Sequence, residues 1–314
     1  MNAEVFAEWL NRQGHHVFKT PNSYWYDQGP NFYQSFPYHW MIKPSEDELS
    51  RFLLTNYAFG LRYSTYLNFP IGKISYHAVC EKPYYGFENL SKWARKNIRR
   101  GLKNCKVKQI TFDRLAKEGL ILQIDTLNRQ GRKLDLSYEI WQRRCLSAAD
   151  LPGFDVWGAL VDDCLAASVI TFQMDDCVYM LYQQCLREFL PGHVNNALSF
   201  VVTQNIIDRP GVQSILYGLH SLDAPVSVDQ FKFRMGYVPK PVRQRVVFHP
   251  WLAPLFNKKT HVLLKKVLSL RPGSPSLAKA EGMVRFYLEG KLPLQQQTWP
   301  EPLLMNSAIN LLKD

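Results

Sequence analysis

The chain has 314 residues, of which 46% are hydrophobic and 21% are charged, so it can bury a substantial core and resembles an ordinary globular protein in composition. It contains no apolar run of about 18 residues, and the acidic Glu4 and Glu8 lie near its start, so we expect neither a transmembrane helix nor a secretory signal, and a cytoplasmic location. The formal net charge of +11 favours anionic partners, such as tRNA, coenzyme A, a carrier protein or a membrane surface.

The first 88 residues alternate between helical and strand patterns. A short helix is predicted over 2–12, and a β-hairpin over 23–26 and 32–36 around the turn DQGPN. Ser45 and the acidic residues after it form a capping box that predicts the start of a second helix. Another strand pair is predicted between Arg62 and Val79.

The segment NLSKWARKNIRRGLKN, residues 89–104, predicts a strongly basic amphipathic helix. Its apolar residues recur every four positions, at Leu90, Ala94, Ile98 and Leu102. Its remaining surface carries six cations, namely Lys92, Arg95, Lys96, Arg99, Arg100 and Lys103. Two interpretations stay open, a basic rim that holds a phosphate-bearing substrate and a merely solvated face. Gly101 is expected to weaken the helix near its end.

Strand patterns dominate after two further helices, which are predicted over about 112–130 and 136–149. The β-rich runs 155–160, 164–173 and 177–185 are joined by the two-residue turns Asp162-Asp163 and Asp175-Asp176. Links this short predict consecutive antiparallel strands.

The next stretch alternates helix and strand. The predicted elements are a helix that begins at Pro191-Gly192, a strand over 214–218, a helix that Ser227 caps and Gly236 ends, and a strand over 238–248. Residues 251–314 predict a helical extension, with helices at about 258–268 and 276–290, the link RPGSPS between them and a loose Pro/Gln-rich end.

Several kinds of catalytic chemistry have no motif here. The six cysteines form no CxxC pair, so we expect reduced thiols. The eight histidines show no HExxH motif or Cys/His ligand spacing, so no metal site is predicted. Without GxSxG or a suggested Cys/His pair, no covalent nucleophile is expected. No tightly bound cofactor is predicted.

The order of elements between 155 and 248 resembles the core of the GNAT acyltransferase superfamily. Three stretches resemble its FemAB-like and BioF2-like branch: WARKNIRRGLKN, LREFLPGHVNNALSF and DQFKFRMGY. The resemblance implies an α+β fold with a GNAT-like mixed, largely antiparallel sheet flanked by helices, whose two central strands splay above the 193–208 helix. It also implies a degenerate N-terminal GNAT-like half at 1–88, a transferase domain at 89–250 and a helical C-terminal extension at 251–314.

The same resemblance implies the transfer of an acyl or aminoacyl group from an activated anionic donor to an amino group. The donor and co-substrate would be aminoacyl-tRNA, acyl-CoA or acyl-carrier protein. Two alternatives remain, a non-catalytic GNAT-fold module that binds tRNA or another polyanion, and an N-acyl-amino-acid synthase, which would need a long apolar tunnel. Peripheral contact with a membrane is also compatible with the charge.

Candidate site residues follow from this comparison. The catalytic candidates are Lys232, which stands where many GNAT enzymes have a tyrosine, His220 as general base, and Tyr182 at the end of the central strand. For Lys232 and His220, purely structural roles stay open, and Asp229 is interpreted as a helix-end carboxylate. The donor-binding candidates lie on the loop before the main helix, in its first turn and on the basic helix: Arg187, Gly192, His193, Asn195, Asn196, Arg95, Lys96, Arg99 and Arg100.

Overall fold

The computed structural model describes residues 2–29, 31–81, 85–131, 137–222, 226–271 and 274–305, with the backbone alone at 226 and 227. Some predicted features lie partly outside the described residues. They are the turn DQGPN, the link RPGSPS, the side-chain cap at Ser227 and the last part of the chain. None of the helices described is long and apolar enough to cross a membrane.

Helices and strands occur throughout the described chain. The α-helices are α1 (Ala3–Arg12), α2 (Glu46–Thr55), α3 (Lys92–Asn104), α4 (Phe112–Glu118), α5 (Leu120–Arg129), α6 (Tyr138–Leu146), α7 (Val194–Ile207), α8 (Val226–Arg234), α9 (Lys258–Leu270), α10 (Pro275–Glu289) and α11 (Glu301–Leu304). The strands are β1 (Val17–Lys19), β2 (Tyr24–Asp27), β3 (Phe32–Phe36), β4 (Gly60–Thr65), β5 (Lys73–Glu81), β6 (Lys106–Gln109), β7 (Phe154–Val161), β8 (Cys164–Met174), β9 (Cys177–Met180), β10 (Gln184–Cys185), β11 (Ser214–Leu219) and β12 (Val238–Phe248).

The chain divides into two compact units. Unit 1 comprises Met1–Gln13, Ala78–Gly218 and Pro225–Val238. Unit 2 comprises Gly14–His77, Leu219–Ala224 and Pro239–Asp314. The predicted domain limits at residues 88 and 250 do not coincide with these boundaries, and the assignment of 1–88 to a degenerate half stays a prediction.

Unit 1 contains a mixed, largely antiparallel sheet. Its strand order is β5-β11-β9-β8-β7-β6, with β10 paired to β8. β6, β7, β8 and β9 follow one another antiparallel, as predicted, whereas β11 pairs with β9 in parallel. At the β7–β8 turn, Asp162 and Asp163 both have positive φ, which the tight two-residue hairpin requires. The predicted α+β class is therefore confirmed.

Two apolar layers cover the faces of this sheet. On one face, α3 contributes Ala94 and Ile98 to a core that also contains Val194, Leu198 and Val202 of α7. On the other, α1 packs its aromatic rings on those of the strands, with Trp9 5.0 Å from Phe154 and Phe6 5.2 Å from Phe172 between ring centroids. α7 is buried nearly all round, which explains why it is so apolar.

Unit 2 contains a run of paired strands and apolar clusters of its own. The strand order is β1-β2-β3-β4-β12-β5, and the predicted hairpin of β2 and β3 is present. The predicted pairing of two strands between Arg62 and Val79 is wrong, because β12 lies between β4 and β5 and pairs antiparallel with β4. The predicted start of α2 is confirmed, since the Ser45 side chain accepts a hydrogen bond from the Glu48 N–H. The Glu48 carboxylate accepts from Nδ2 of Asn22, so only this half of the predicted capping box is formed.

The described part of the segment after β12 contributes to the core of unit 2. Met283, Val284 and Phe286 of α10 lie in one apolar cluster with Val246 and Phe248 of β12. The buried Gln297 accepts a hydrogen bond from the Ile74 N–H and donates to the Gly72 carbonyl. The predicted helices at 258–268 and 276–290 are confirmed as α9 and α10.

Candidate functional site

The sheet of unit 1 is irregular at the end of β9. Met180 pairs with Thr171 of β8, and Gln184 pairs with Ser168, so three residues on one strand oppose two on the other. This extra residue is a β-bulge. The parallel pairing of β9 with β11 ends at Tyr179 and Leu216, although β11 continues to Leu219. The two strands therefore separate there, as the predicted splay requires.

A chain of hydrogen bonds crosses the gap between these strands. Tyr217 of β11 donates its hydroxyl to Oε1 of Gln183, in the bulged segment. Gln183 in turn donates Nε2 to Oδ1 of Asn195, at 2.8 Å, in the first turn of α7. Burial raises the pKa of Tyr217, so its phenol stays protonated at neutral pH and keeps the donor role.

Lys232 lies beside this chain and is buried. Its Nζ is 2.7 Å from Oδ1 of Asp229, and the two side chains are only 10% and 11% exposed. The same ammonium lies 5.5 Å from the ring centroid of Tyr217, within the range of a cation–π interaction. The interpretation of Lys232 as a surface lysine is therefore wrong, and Asp229 is its buried counterion as well as a first-turn carboxylate.

α7 begins at Val194, two residues after the Pro191-Gly192 start that the sequence predicts. Arg187–Gly192 form a 3₁₀ helix, and His193, with φ 58°, is the N-cap residue of α7. The carbonyl of His193 accepts from the N–H groups of Asn196 and Ala197, at 3.0 and 3.2 Å. As in any α-helix, the N–H groups of the first turn point toward the N-terminal end, and this polarity favours anions there.

The basic helix packs directly on this N-terminus. A Cβ added at Gly101 of α3 would overlap the carbonyl oxygen of His193 and lie 2.9 Å from the Cβ of Ala197. Asn104 donates Nδ2 to the carbonyl of Gly192 at 3.0 Å. Gly101 therefore permits a close helix–helix approach, and it is not just a weak point of the helix. Leu102, the last of the four apolar residues that recur along the helix, is 39% exposed.

Two cations of α3 act on His193 electrostatically. Burial lowers the pKa of His193, and the positive charges of Arg100 and Lys96 lower it further. The imidazole is therefore largely neutral at pH 7. Of the other two predicted cations, Arg99 lies with its guanidinium 5.2 Å from the ring centroid of Phe87, and Arg95 is half-buried.

The remaining donor-binding candidates have mixed positions. Arg187 is exposed, and its backbone N–H donates to Oδ2 of Asp125 at 2.5 Å. Asn196 is buried, with Nδ2 3.4 Å from Sδ of Met235 at the end of α8. Asn196 thus joins α7 to the Lys232 helix, whereas Arg187 is open to solvent.

Tyr182 does not point toward Lys232. Its ring lies 6.3 Å from the ring of Trp9, and the guanidinium of Arg144 lies 4.6 Å from its centroid. These partners belong to α1 and α6, on the face of the sheet opposite Gln183. Neighbouring residues in an extended segment point to opposite faces, so of the pair it is Gln183 that faces Asn195.

His220 belongs to unit 2. Its Nδ1 is 3.2 Å from Oγ of Ser75, and its ring stacks on Tyr76 with 4.4 Å between centroids. Its backbone carbonyl accepts a hydrogen bond from Arg62. This is the environment of a packed histidine, and its role as a general base stays a prediction.

Tyr217 and Gly101 lie in the site, although neither is among the candidates from the sequence. Asp229 also lies in the site, as the counterion of Lys232. The spacing of Asp229 and Lys232, three residues apart on one helix, is a signal for the ion pair. Nothing in the sequence pattern marks Tyr217, because its importance arises from the bulge in the neighbouring strand.

We expect Gly101→Val to lower the free energy of unfolding by about 2–3 kcal/mol, since the side chain would collide with the backbone of His193. Gly192→Val is the matched control. A Cβ there meets nothing closer than Asn104 Nδ2 at 3.5 Å, so its effect should stay within about 0.5 kcal/mol. Urea unfolding of both variants measures the difference, and equal stabilities would contradict the close packing of α3 on α7.

His193 should titrate below the ordinary imidazole value of about 6.5 in the free protein. An anion bound at the α7 N-terminus would stabilise the protonated ring, so its pKa should rise when inorganic pyrophosphate is added. By linkage, pyrophosphate should bind more tightly as the pH falls through this range. NMR titration of the ring with and without pyrophosphate tests both statements, and His193→Gln should remove this part of the pH dependence. A pKa that pyrophosphate leaves unchanged would place the anion elsewhere.

Similarity to known proteins is found at the level of structure. No protein-family model and no curated protein matches the chain. FemX is similar with a TM-score of 0.53 and 9% identity, over 79% of this chain and 92% of FemX. L-PGS from Bacillus licheniformis is similar with a TM-score of 0.50 and 12% identity, over 85% of this chain and 97% of L-PGS. A conserved protein of unknown function from Bacteroides thetaiotaomicron VPI-5482 is similar with a TM-score of 0.51 and 8% identity, over 77% of this chain and 88% of that protein.

These similarities show a shared fold. The chain therefore has the fold of FemX and of L-PGS, in agreement with the FemAB-like resemblance of its sequence. The similarity covers more than three quarters of the chain, so it extends beyond residues 89–248, which make up about half of it.

Proposed function

From the GNAT-like fold and the site in unit 1, we propose that this protein transfers an acyl or aminoacyl group from an anionic donor to an amino group. The observation that carries the proposal is the convergence of two features at the start of α7. One is an anion-favouring helix N-terminus beside Lys96 and Arg100. The other is the buried pair of Lys232 and Asp229, next to Tyr217 and the bulged strand.

The donor would bind through its phosphates. The helix N-terminus, with its partial positive charge, and the two cations of α3 would attract a phosphate or pyrophosphate. Gly192 leaves the backbone open at this point, since a Cβ there would be in only ordinary contact with its surroundings. Aminoacyl-tRNA, acyl-CoA and acyl-carrier protein all present such a phosphate, so this chemistry does not choose among them.

The acyl group would react in the gap between β9 and β11. The amine attacks the activated carbonyl, which becomes an oxyanion. The oxyanion then collapses and the C–O or C–S bond to the donor breaks, while the proton that the amine loses passes, through a base or water, to the leaving oxygen or sulfur. The backbone N–H groups of Tyr182 and Gln183 in the bulged segment are the proposed oxyanion donors, because the N–H of Leu181 already donates to the Ile170 carbonyl. The charge of Lys232 would offset the negative charge that develops. The hydrogen bonds of Tyr217 and Gln183 connect the two sides of the gap and would fix their separation.

Direct attack by the amine needs no nucleophile from the protein. Burial raises the pKa of Cys80, Cys145, Cys177 and Cys185 to about 12, so these thiols are protonated at neutral pH. A protonated, buried thiol is a poor nucleophile.

A donor screen tests the proposal. The full chain is incubated with an amine library and with aminoacyl-tRNA, acyl-CoA or acylated carrier protein, and products are identified by mass spectrometry. The proposal expects turnover with one donor class. Binding of tRNA or CoA without turnover by any donor, and without loss of binding in a Lys232 variant, would instead support the non-catalytic polyanion-binding module.

A further inference from the structure

α9 presents an apolar stripe to solvent. Leu263, Val267 and Leu270 are 61%, 36% and 81% exposed. At 100° per residue they lie within about 60° of one another around the helix axis. The preceding loop adds Trp251 and Leu255, at 82% and 59% exposed. Five large apolar side chains exposed in one short segment go beyond the scattered apolar residues of an ordinary surface.

The other side of α9 is already used. His261 donates or accepts a hydrogen bond with Oε1 of Glu281 on α10, at 2.8 Å, and Leu264 packs on the apolar cluster of unit 2. The stripe is therefore a second apolar face, separate from the one that holds the helix to its unit.

Lysines lie along one side of the stripe. Lys259 and Lys266 border it, within about 60° of Leu263 around the axis, and Lys258 and Lys265 lie further round. All four are exposed. The sequence contains no Asp or Glu between Asp229 and Glu281, so no acidic side chain of this segment neutralises them.

We propose that α9 and the Trp251 loop bind the surface of an anionic lipid bilayer. Phospholipid headgroups would neutralise the lysines, while the apolar stripe enters the boundary between headgroups and acyl chains. Trp251 suits that boundary, because an indole combines a large apolar ring with an N–H donor.

Charge and apolarity together select this occupant. A nucleic acid would neutralise the lysines but would leave the leucine stripe in water. A second copy of the same face would cover the stripe but bring the lysines of both copies together without acidic partners. An anionic bilayer satisfies both the charges and the apolar side chains.

The test uses the full chain and two kinds of vesicle, one of phosphatidylcholine and one of an equal mixture with phosphatidylglycerol. Flotation at low and high salt should show binding to the mixed vesicles that salt weakens. Leu263→Ser/Leu270→Ser should reduce the partition coefficient on the order of 100-fold, about tenfold for each leucine side chain lost. Lys259→Glu/Lys266→Glu should reduce it on the order of 20-fold or more.

Matched controls carry the same substitutions elsewhere. Ile121→Ser/Leu146→Ser removes exposed apolar side chains of α5 and α6, and Lys117→Glu/Arg143→Glu reverses exposed cations of α4 and α6. Both controls should bind vesicles like the parent. Equal binding to neutral and mixed vesicles, or unchanged binding by both α9 variants, would overturn the proposal.

Two further outcomes would also overturn it. One is self-association of the parent that the leucine variant abolishes, with no vesicle binding, as seen by sedimentation velocity. The other is tRNA binding that both α9 variants lose, again with no vesicle binding.

Discussion

Lys232→Met is expected to lower kcat on the order of 10²-fold while changing the donor KM much less. The charge of Lys232 is proposed to act mainly when the oxyanion or leaving group becomes negative, so its loss affects the transition state more than binding. Steady-state kinetics with the donor class found by the screen measures both constants.

Stability must be separated from chemistry in this experiment. Removing Lys232 takes the counterion away from the buried Asp229 carboxylate, and breaking a buried ion pair by removing one partner costs about 3–5 kcal/mol. The double variant Lys232→Met/Asp229→Asn removes both charges and should recover most of the lost free energy of unfolding. If the pair served only the fold, this double variant would turn over like the parent. We expect the double variant to be stable, with a kcat still about 10²-fold below that of the parent.

Reversing two cations of α3 should weaken donor binding strongly. Lys96→Glu/Arg100→Glu is expected to raise the Kd for tRNA or CoA on the order of 10²-fold, about tenfold for each charged hydrogen bond lost. For a nucleic acid, the log–log dependence of binding on salt should also become shallower by about 0.7–0.9 for each phosphate contact removed. Fluorescence titration over a range of salt concentrations gives both quantities.

The control for this experiment is Lys117→Glu/Arg143→Glu, which makes the same change in net charge on α4 and α6. A general effect of net charge would lower the affinity of both variants equally. An effect confined to Lys96 and Arg100 would assign the donor to the α7 N-terminus, whose His193 these two cations already influence. Unchanged affinity in the α3 variant would mean that the basic helix is a solvated face.

Local sequence signals predicted the order of elements well. The Asp162-Asp163 turn and the Ser45 cap act within a few residues, so their consequences can be read without the rest of the chain. The single helix predicted over 112–130 is wrong because its interruption depends on a contact with a residue distant in sequence. It is two helices, α4 and α5, separated at Gly119, where Trp141 of α6 donates Nε1 to the Leu115 carbonyl at 3.2 Å and its ring leaves no space for a Cβ.

The candidate site was predictable only where its parts lie close in sequence. The loop before α7 and Lys232 could be located from the resemblance, and Asp229 from its spacing. The contribution of Tyr217 and the orientation of Gln183 rather than Tyr182 depend on one extra residue in a strand, which the sequence does not mark. From the sequence alone, Gly101 looks like a residue that weakens a helix. Only the packing of α3 on α7 shows that a glycine is needed there for the two helices to approach closely.

A crystal structure of the full chain with its tightest-binding donor, made unreactive by an amide in place of the ester or thioester, is the most direct test of the proposed site. The account predicts phosphate oxygens within hydrogen-bond distance of the first-turn N–H groups of α7 and of Lys96 or Arg100. It also predicts the carbonyl in the gap between β9 and β11, close to Lys232. A donor whose phosphates lie away from the α7 N-terminus, or whose carbonyl lies far from Lys232, would contradict the account.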